Sequence, residues 1–220
     1  MSPGFQLVTQ EYSDREYWNE RYAKSNGSCF DWYQRYDTLK LVINPVIPKD
    51  VPVLQVGVGN SRLQLDMAQE GYTSITSIDY AEVVIEQMQQ SHQQYPQLHY
   101  DVADARNMPQ FADSSFGAIL DKGTMDAMAC GEHAAADIHD FFTESSRQVP
   151  GAQLLQHLTS LLTHHTIGKY IESCRHHSKH IMQAVNAWRR VSGNQLRQSK
   201  VSYALFHVPR LLLGHGSVHH

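Results

Sequence analysis

The sequence has no run of 18 or more apolar residues, whereas a membrane-spanning helix needs about 20, so no span is expected. Its start, "MSPGFQLVTQEYSDREYW", lacks the charged-then-apolar layout of a secretory signal, which points to a soluble, cytoplasmic protein. Cysteine is scarce. Cys29, Cys130 and Cys174 are odd in number, widely spaced and without a CxxC pair, which argues against both a disulfide framework and a zinc site. Acids nearly vanish from the C-terminal part: residues 151–220 hold Glu172 alone against 8 Lys+Arg, while residues 1–150 hold 21 Asp+Glu against 10 Lys+Arg. Ten of the 14 histidines also follow Gly151. Several stand as adjacent pairs (His164-His165, His176-His177) rather than at a spacing that shares one helix face, so no metal site is expected. A basic segment can meet nucleic acid or dock on an acidic body. No interleaved aromatic motif supports the first, and no nucleic-acid binding is expected.

What is present is enough for one sizeable α/β core with an appendage: 220 residues, 41% of them hydrophobic. In the first 150 residues short apolar runs alternate with amphipathic stretches. "SDREYWNERY" places Tyr17 and Tyr22 near one helical face, and "YDTLKLVINPVI" reads as a helix stopped by Pro45 and Pro48. A strand at Val53–Val56 follows, then a helix in "RLQLDMAQEGY" with Leu63, Met67 and Ala68 at helical spacing and Gly71 as its stop. Further strands are predicted at Ile75–Ile78, Leu98–Val102 and "FGAILD", with a helix in "AEVVIEQMQQSHQQY". Strands alternating with helices imply parallel pairing in a doubly wound sheet.

Within that pattern, "VLQVGVGNS" (Val53 to Ser61) runs a strand into a glycine pair, and "SITSIDYAE" ends the next strand on Asp79, 22 residues after Gly57. A strand that ends in glycines and opens a helix lets backbone approach a ligand and presents free N–H groups. An acid at the end of the second strand is placed to accept hydrogen bonds from ribose hydroxyls. The pair predicts a nucleoside site. A dinucleotide fold wants G-x-G-x-x-G, and here Asn60, Ser61 and Arg62 follow Gly57-Val58-Gly59 with no third glycine, which disfavours NAD.

The pieces "EYWNERY", "FDWYQRYDTLK", "VLQVGVGNSRL", "GYTSITSIDYAEVVIEQM" and "DVADARNMPQFADSSFGAILDKGTMDAM" occur in this order over about residues 11 to 150. In them the chain resembles the class I S-adenosyl-L-methionine-dependent methyltransferases, and within these the methyltransferase-like protein 13 group, which includes lysine methyltransferases of elongation factor 1-alpha. The resemblance implies a Rossmann-like doubly wound sheet and S-adenosylmethionine as cofactor. It also implies that Gly57 and Gly59 line the methionine and ribose side, that Asp79 holds the ribose hydroxyls, and that Tyr80 flanks the adenine. Asp104 and the Ala105 backbone would reach the adenine edge, and Lys122 would contact the cofactor. Trp18, Tyr22 and Trp32 would close over it as an aromatic lid, which suits a sulfonium cation; their other reading is a helix face packed on the sheet. Two departures stand out: Gln55 where many class I enzymes carry an acid, and Val58 in place of the group's usual cysteine.

Methyl transfer is an in-line displacement that asks the protein to align donor and acceptor and to exclude water. The stretch "DKGTMDAM" is where this is expected, with Asp121 as the catalytic residue that orients or deprotonates an amine, and Thr124 and Asp126 shaping the acceptor pocket. Each reads equally as a helix cap or turn residue. Two domains are expected, a core at 1–150 and a divergent, basic, His-rich, mainly helical tail at 151–220, which leaves open whether the fold is complete. In the tail, Leu154, Leu155, Leu158, Leu161 and Leu162 fall at roughly helical spacing, and Val201–Val208 is a strand candidate. The expected partner is a protein substrate carrying a lysine. A small-molecule N- or S-methyltransferase, or a cofactor-binding protein without turnover, remain as alternatives.

Overall fold

The computed structural model describes residues 12–25 and 27–149, together with the backbone of residues 155–157. Its centre is a five-stranded parallel sheet of β1 (Val53–Val56), β2 (Ile75–Asp79), β3 (Leu98–Val102), β4 (Ala118–Asp121) and β5 (Leu155–His157), in the order β3-β2-β1-β4-β5. Chain order runs outward from β1 to one edge and then crosses to β4, so β1 lies beside both β2 and β4. Val56 is in register with Ile78 on one side and Asp121 on the other, and this brings the loops after β1, β2 and β4 to one end of the sheet. Ligands of open α/β sheets bind where the strand order reverses.

The central strands are apolar on both faces because both are covered. Val53, Ile75, Leu98 and Leu120 pack with Trp18, Tyr22, Leu39, Ile43, Met67 and Ile85. These come from α1 (Arg15–Lys24), α2 (Tyr36–Ile43), α3 (Leu63–Gln69) and α4 (Glu82–Ser91). Leu54, Val56, Ile78 and Ile119 face the other way, onto Met125, Ile138, Phe141 and Phe142 of α5 (Thr124–Met128) and α6 (Ala134–Gln148). Burying each such side chain fully contributes about 1.5–3 kcal/mol. Among the described residues no helix is long and apolar enough to cross a membrane.

The elements predicted from periodicity stand close to where the pattern placed them, and the differences have local causes. α1 starts where the Asp14 carboxylate accepts from the N–H groups of Glu16 and Tyr17. α2 ends at Ile43, earlier than the stretch through Ile47 suggested, because Pro45 supplies no N–H to continue it. Gly71, at φ +105, stops α3 as expected, with the Tyr72 N–H reaching back to the Met67 carbonyl at 3.1 Å. Phe116 and Gly117 fall outside β4; Gly117 lies so close to Val51 that an added Cβ would sit 2.6 Å from its side chain. α6 buries Ala134, Ile138, Phe141, Phe142 and Ser145 on one face, and neither it nor α5 was read from the sequence.

Beyond Gly151, Leu155–His157 pairs with β4 as β5. The helical reading of the leucines is therefore corrected at Leu155: next to the free edge of β4, a parallel ladder claims those backbone groups. The remaining tail expectations, the helical stretch after His157 and the strand at Val201–Val208, lie outside the described residues.

Candidate active site

The loop after β1 turns on two left-handed residues, Gly57 (φ +57) and Gly59 (φ +53), a conformation that costs other residues roughly 1–2 kcal/mol each. Both glycines are also spatially required. A Cβ on Gly57 would stand 1.8 Å from Thr124 Oγ1, and one on Gly59 would stand 2.9 Å from the Tyr22 hydroxyl. Part of the room left open by the missing side chains is taken by Thr124 and Tyr22.

Asp79, at the end of β2, is only 6% exposed. Its Oδ2 accepts from the Gly59 N–H at 3.0 Å and its Oδ1 from the Ala81 N–H at 2.9 Å. Burial pushes the carboxyl up to about 6, against the pull of the Ala81, Gly59 and Tyr80 backbone amides. No Lys, Arg or His among the described residues pairs with it. A buried carboxylate held only by main-chain donors keeps lone pairs for further donors, and hydroxyls of a sugar are the matching groups. Tyr80 follows, half-buried, its hydroxyl held above its ordinary value by burial and by Asp79.

Beyond β3, Ala105 is buried, while the Asp104 carboxylate is bound by its neighbour: Arg106 Nε donates to Oδ1 at 2.9 Å and Nη2 to Oδ2 at 2.6 Å. Burial opposes ionisation there, but these bonds hold the carboxyl below the usual range. Arg106 also binds Asp137 of α6 at 2.6 Å, so both Asp104 oxygens are held by a guanidinium that is itself tied to α6.

The predicted lid residues come together. Trp18 stacks on Tyr22 at 5.6 Å between centroids and meets Trp32 edge-on at 6.3 Å, while Arg21 lies 5.4 Å from the Trp32 ring. The packing reading holds, since Trp18 and Tyr22 belong to the buried core and Trp32 packs against it. Desolvation, then the Asp79 charge, raises the Tyr22 hydroxyl well above its ordinary value, so it meets Gly59 as a neutral phenol.

At the end of β4, Asp121 is fully buried and its Oδ1 accepts the Thr124 N–H at 3.0 Å. The Thr124 hydroxyl donates to the Val56 carbonyl at 3.1 Å. Lys122 points back to the Asp31–Trp32 segment: Nζ donates to the Trp32 carbonyl at 3.1 Å and pairs with Asp31 at 3.4 Å. Burial lowers its pKa, while Asp31 and Asp121 raise it. Asp126 accepts from the Tyr33 hydroxyl at 3.0 Å. Tyr33 was not singled out from the sequence. It is one of two non-glycine residues at positive φ among those described (φ +66), a strain that marks functional loops and leaves no trace in composition. Gln55, the departure noted above, is buried beside its register partner Ser77, and neither Gln55 Oε1 nor Ser77 Oγ has a hydrogen-bond partner among the described residues. A separate cavity of about 520 Å³ lies along β3, lined by His92, Tyr95, His99 and Tyr100 among others; it shares no residue with this site. The described residues hold no cluster able to bind a metal ion.

A glycine loop at the reversal point of a parallel doubly wound sheet, an acid closing the next strand and an aromatic cover together define a nucleoside-binding class of enzyme domain. Residues 53–147 match the family described as a methyltransferase domain. The chain is 30% identical over 173 residues to EEF1A lysine methyltransferase 4 of Mus musculus, covering 74% of this chain and 67% of that protein. It is 36% identical over 129 residues to the eEF1A lysine and N-terminal methyltransferase of Danio rerio, covering 58% of this chain and 19% of that protein. It therefore spans about two thirds of the mouse relative and about a fifth of the zebrafish one. Among solved structures, one from work on the conversion of a disulfide bond into a thioacetal group during echinomycin biosynthesis shares the fold, with a TM-score of 0.50 at 18% identity over 63% of this chain and 58% of the other. The chain belongs to the class I S-adenosylmethionine-dependent methyltransferases, in the group of the eEF1A lysine methyltransferases.

Proposed function

We propose that this chain transfers a methyl group to a lysine side chain of a protein in the cytoplasm, with elongation factor 1-alpha as the acceptor. The observation that carries this reading is Asp79, a buried carboxylate without a cationic partner among the described residues, beside the glycine loop of a chain whose mouse relative is named for that acceptor. S-adenosylmethionine supplies the activated methyl group when bound. Gly57 and Gly59 are assigned to its ribose and methionine side, Asp79 to the ribose hydroxyls, Tyr80, Asp104 and Ala105 to the adenine, and Trp18, Tyr22 and Trp32 with Lys122 beneath them to the cover that excludes water.

On the acceptor side the roles divide by exposure. A base must come within hydrogen-bond reach of the proton it takes. Asp121 is fully enclosed and caps the turn at Thr124, so its part is to fix that turn. Asp126, half-buried and carrying the Tyr33 hydroxyl bond, is the carboxylate assigned to hold the incoming amine, and Thr124 joins the acceptor turn to the glycine loop through Val56. The test is incubation of the full chain with tritiated S-adenosylmethionine and purified elongation factor 1-alpha. Label in a lysine supports the reading. Label that enters only small molecules of a lysate, or none despite cofactor binding, removes it.

A further inference from the structure

The segment between α1 and α2 is fastened to two loops at once. Asn60 Nδ2 donates to the Ser28 carbonyl at 2.6 Å, and the Phe30 N–H donates to the Asn60 carbonyl at 3.1 Å. The Ser61 hydroxyl donates to Asp31, while its oxygen accepts the Leu63 N–H at 3.0 Å. From the other side, Lys122 reaches the Trp32 carbonyl at 3.1 Å and Asp31 at 3.4 Å, and Tyr33 holds Asp126. One carboxylate oxygen, Asp31 Oδ1, thus takes a hydroxyl from the loop after β1 and an ammonium from the turn after β4. The Asp31 and Lys122 side chains are 9% and 5% exposed. Breaking a buried pair leaves an uncompensated charge, so the segment is held closely in its place.

Resting on the cofactor placement above, we infer that Asp31 is a positioning residue, the clasp that shuts the Ser28–Tyr33 strap across the cofactor and sets how long the cofactor stays. It touches neither donor nor acceptor. It acts through Ser61, which fixes the strap to the glycine loop, and through Lys122, which carries the Trp32 backbone. The chemistry fits a clasp better than a ligand contact, because both partners of the carboxylate are protein groups from opposite sides of the sheet's reversal point.

The test measures dissociation of tritiated S-adenosylhomocysteine from the full chain by rapid filtration after an unlabelled chase, with association and binding stoichiometry measured alongside. Asp31→Asn, which keeps the shape and an acceptor oxygen but loses the charge, is expected to raise the off-rate by about tenfold or more while the on-rate changes less than about twofold. Asp31→Glu is expected to recover most of the loss, and Ser61→Ala, which cuts one arm, to raise the off-rate about threefold. A merely structural role would instead lower the fraction of binding-competent protein and leave the off-rate of the bound fraction unchanged. If Asp31→Asn does not fold, Ser61→Ala decides by the same readout. Wild-type binding with off-rates within about twofold of wild type in the variants overturns the clasp alone. A wild type that binds no S-adenosylhomocysteine overturns the cofactor placement and the clasp with it.

Discussion

The two sides of the reversal point are built differently. At the ends of β1 and β2 the hydrogen-bond donors are backbone: two left-handed glycines shape the loop, and the Asp79 carboxylate is held by the N–H groups of Gly59 and Ala81. At the end of β4 they are side chains that already hold long-range partners, with Lys122 on Asp31 and the Trp32 carbonyl, Asp126 on Tyr33, and Thr124 on the Val56 carbonyl. On the first side Asp79 accepts only from backbone N–H groups among the described residues, which leaves it spare hydrogen-bonding capacity. The second is shaped by segments about 70 to 90 residues away in sequence, so its geometry exists only once the whole domain has folded. If the first side holds the cofactor and the second the acceptor, as proposed, cofactor affinity and transfer should respond to different substitutions.

Gly57→Ala should break both sides together. Its Cβ collides with Thr124 at a residue already in the left-handed region, and strain plus overpacking cost roughly 2–5 kcal/mol. A large fall in thermal midpoint is expected, partly restored by Thr124→Gly; a normal midpoint would show that the two loops are not in contact. Asp79→Ala should act on the donor side alone. Each hydrogen bond to a charged group contributes about 1.5–3 kcal/mol, so affinity for S-adenosylhomocysteine should fall at least about tenfold in a folded variant. Asp126→Asn should act on the acceptor side, lowering the single-turnover rate of transfer to a lysine by about 10–100-fold.

The smallest of these effects is one of pH. With Asp79 raised to about 6, the carboxylate proposed to accept ribose hydroxyls is ionised above that value and protonated below it. S-adenosylhomocysteine affinity should therefore weaken as pH falls through 6, by about tenfold between pH 7 and pH 5. For fold stability the sign is the reverse. A carboxyl whose folded value is raised favours the folded state most when protonated, and that contribution is lost as pH rises from about 4 through 6. A flat affinity profile would place the cofactor away from Asp79.

The same contrast explains what could be read from the sequence. β1, its glycines, and Asp79 at the next strand's end form a short-range pattern, because strand, turn and acid are each written in adjacent residues. The aromatic positions Trp18, Tyr22 and Trp32 came from a resemblance, and the structure adds that Trp18 and Tyr22 belong to the core. Asp31, Ser61 and Tyr33 were invisible as a group. Nothing local marks residues 31 and 122 as neighbours, or Tyr33 as left-handed, since loop closure between distant segments decides both. α6 was legible in principle, for Ile138, Phe141, Phe142 and Ser145 share one helical face. Leu155 was misread because a neighbouring strand, not its own periodicity, sets its conformation.

The division between the two sides is tested most directly by calorimetric titration of S-adenosylhomocysteine into Asp79→Ala and Asp126→Asn, side by side with the wild type. Affinity is expected to be at least about tenfold weaker in Asp79→Ala and within about threefold of wild type in Asp126→Asn. Equal weakening in both variants, or loss in Asp126→Asn alone, would contradict it.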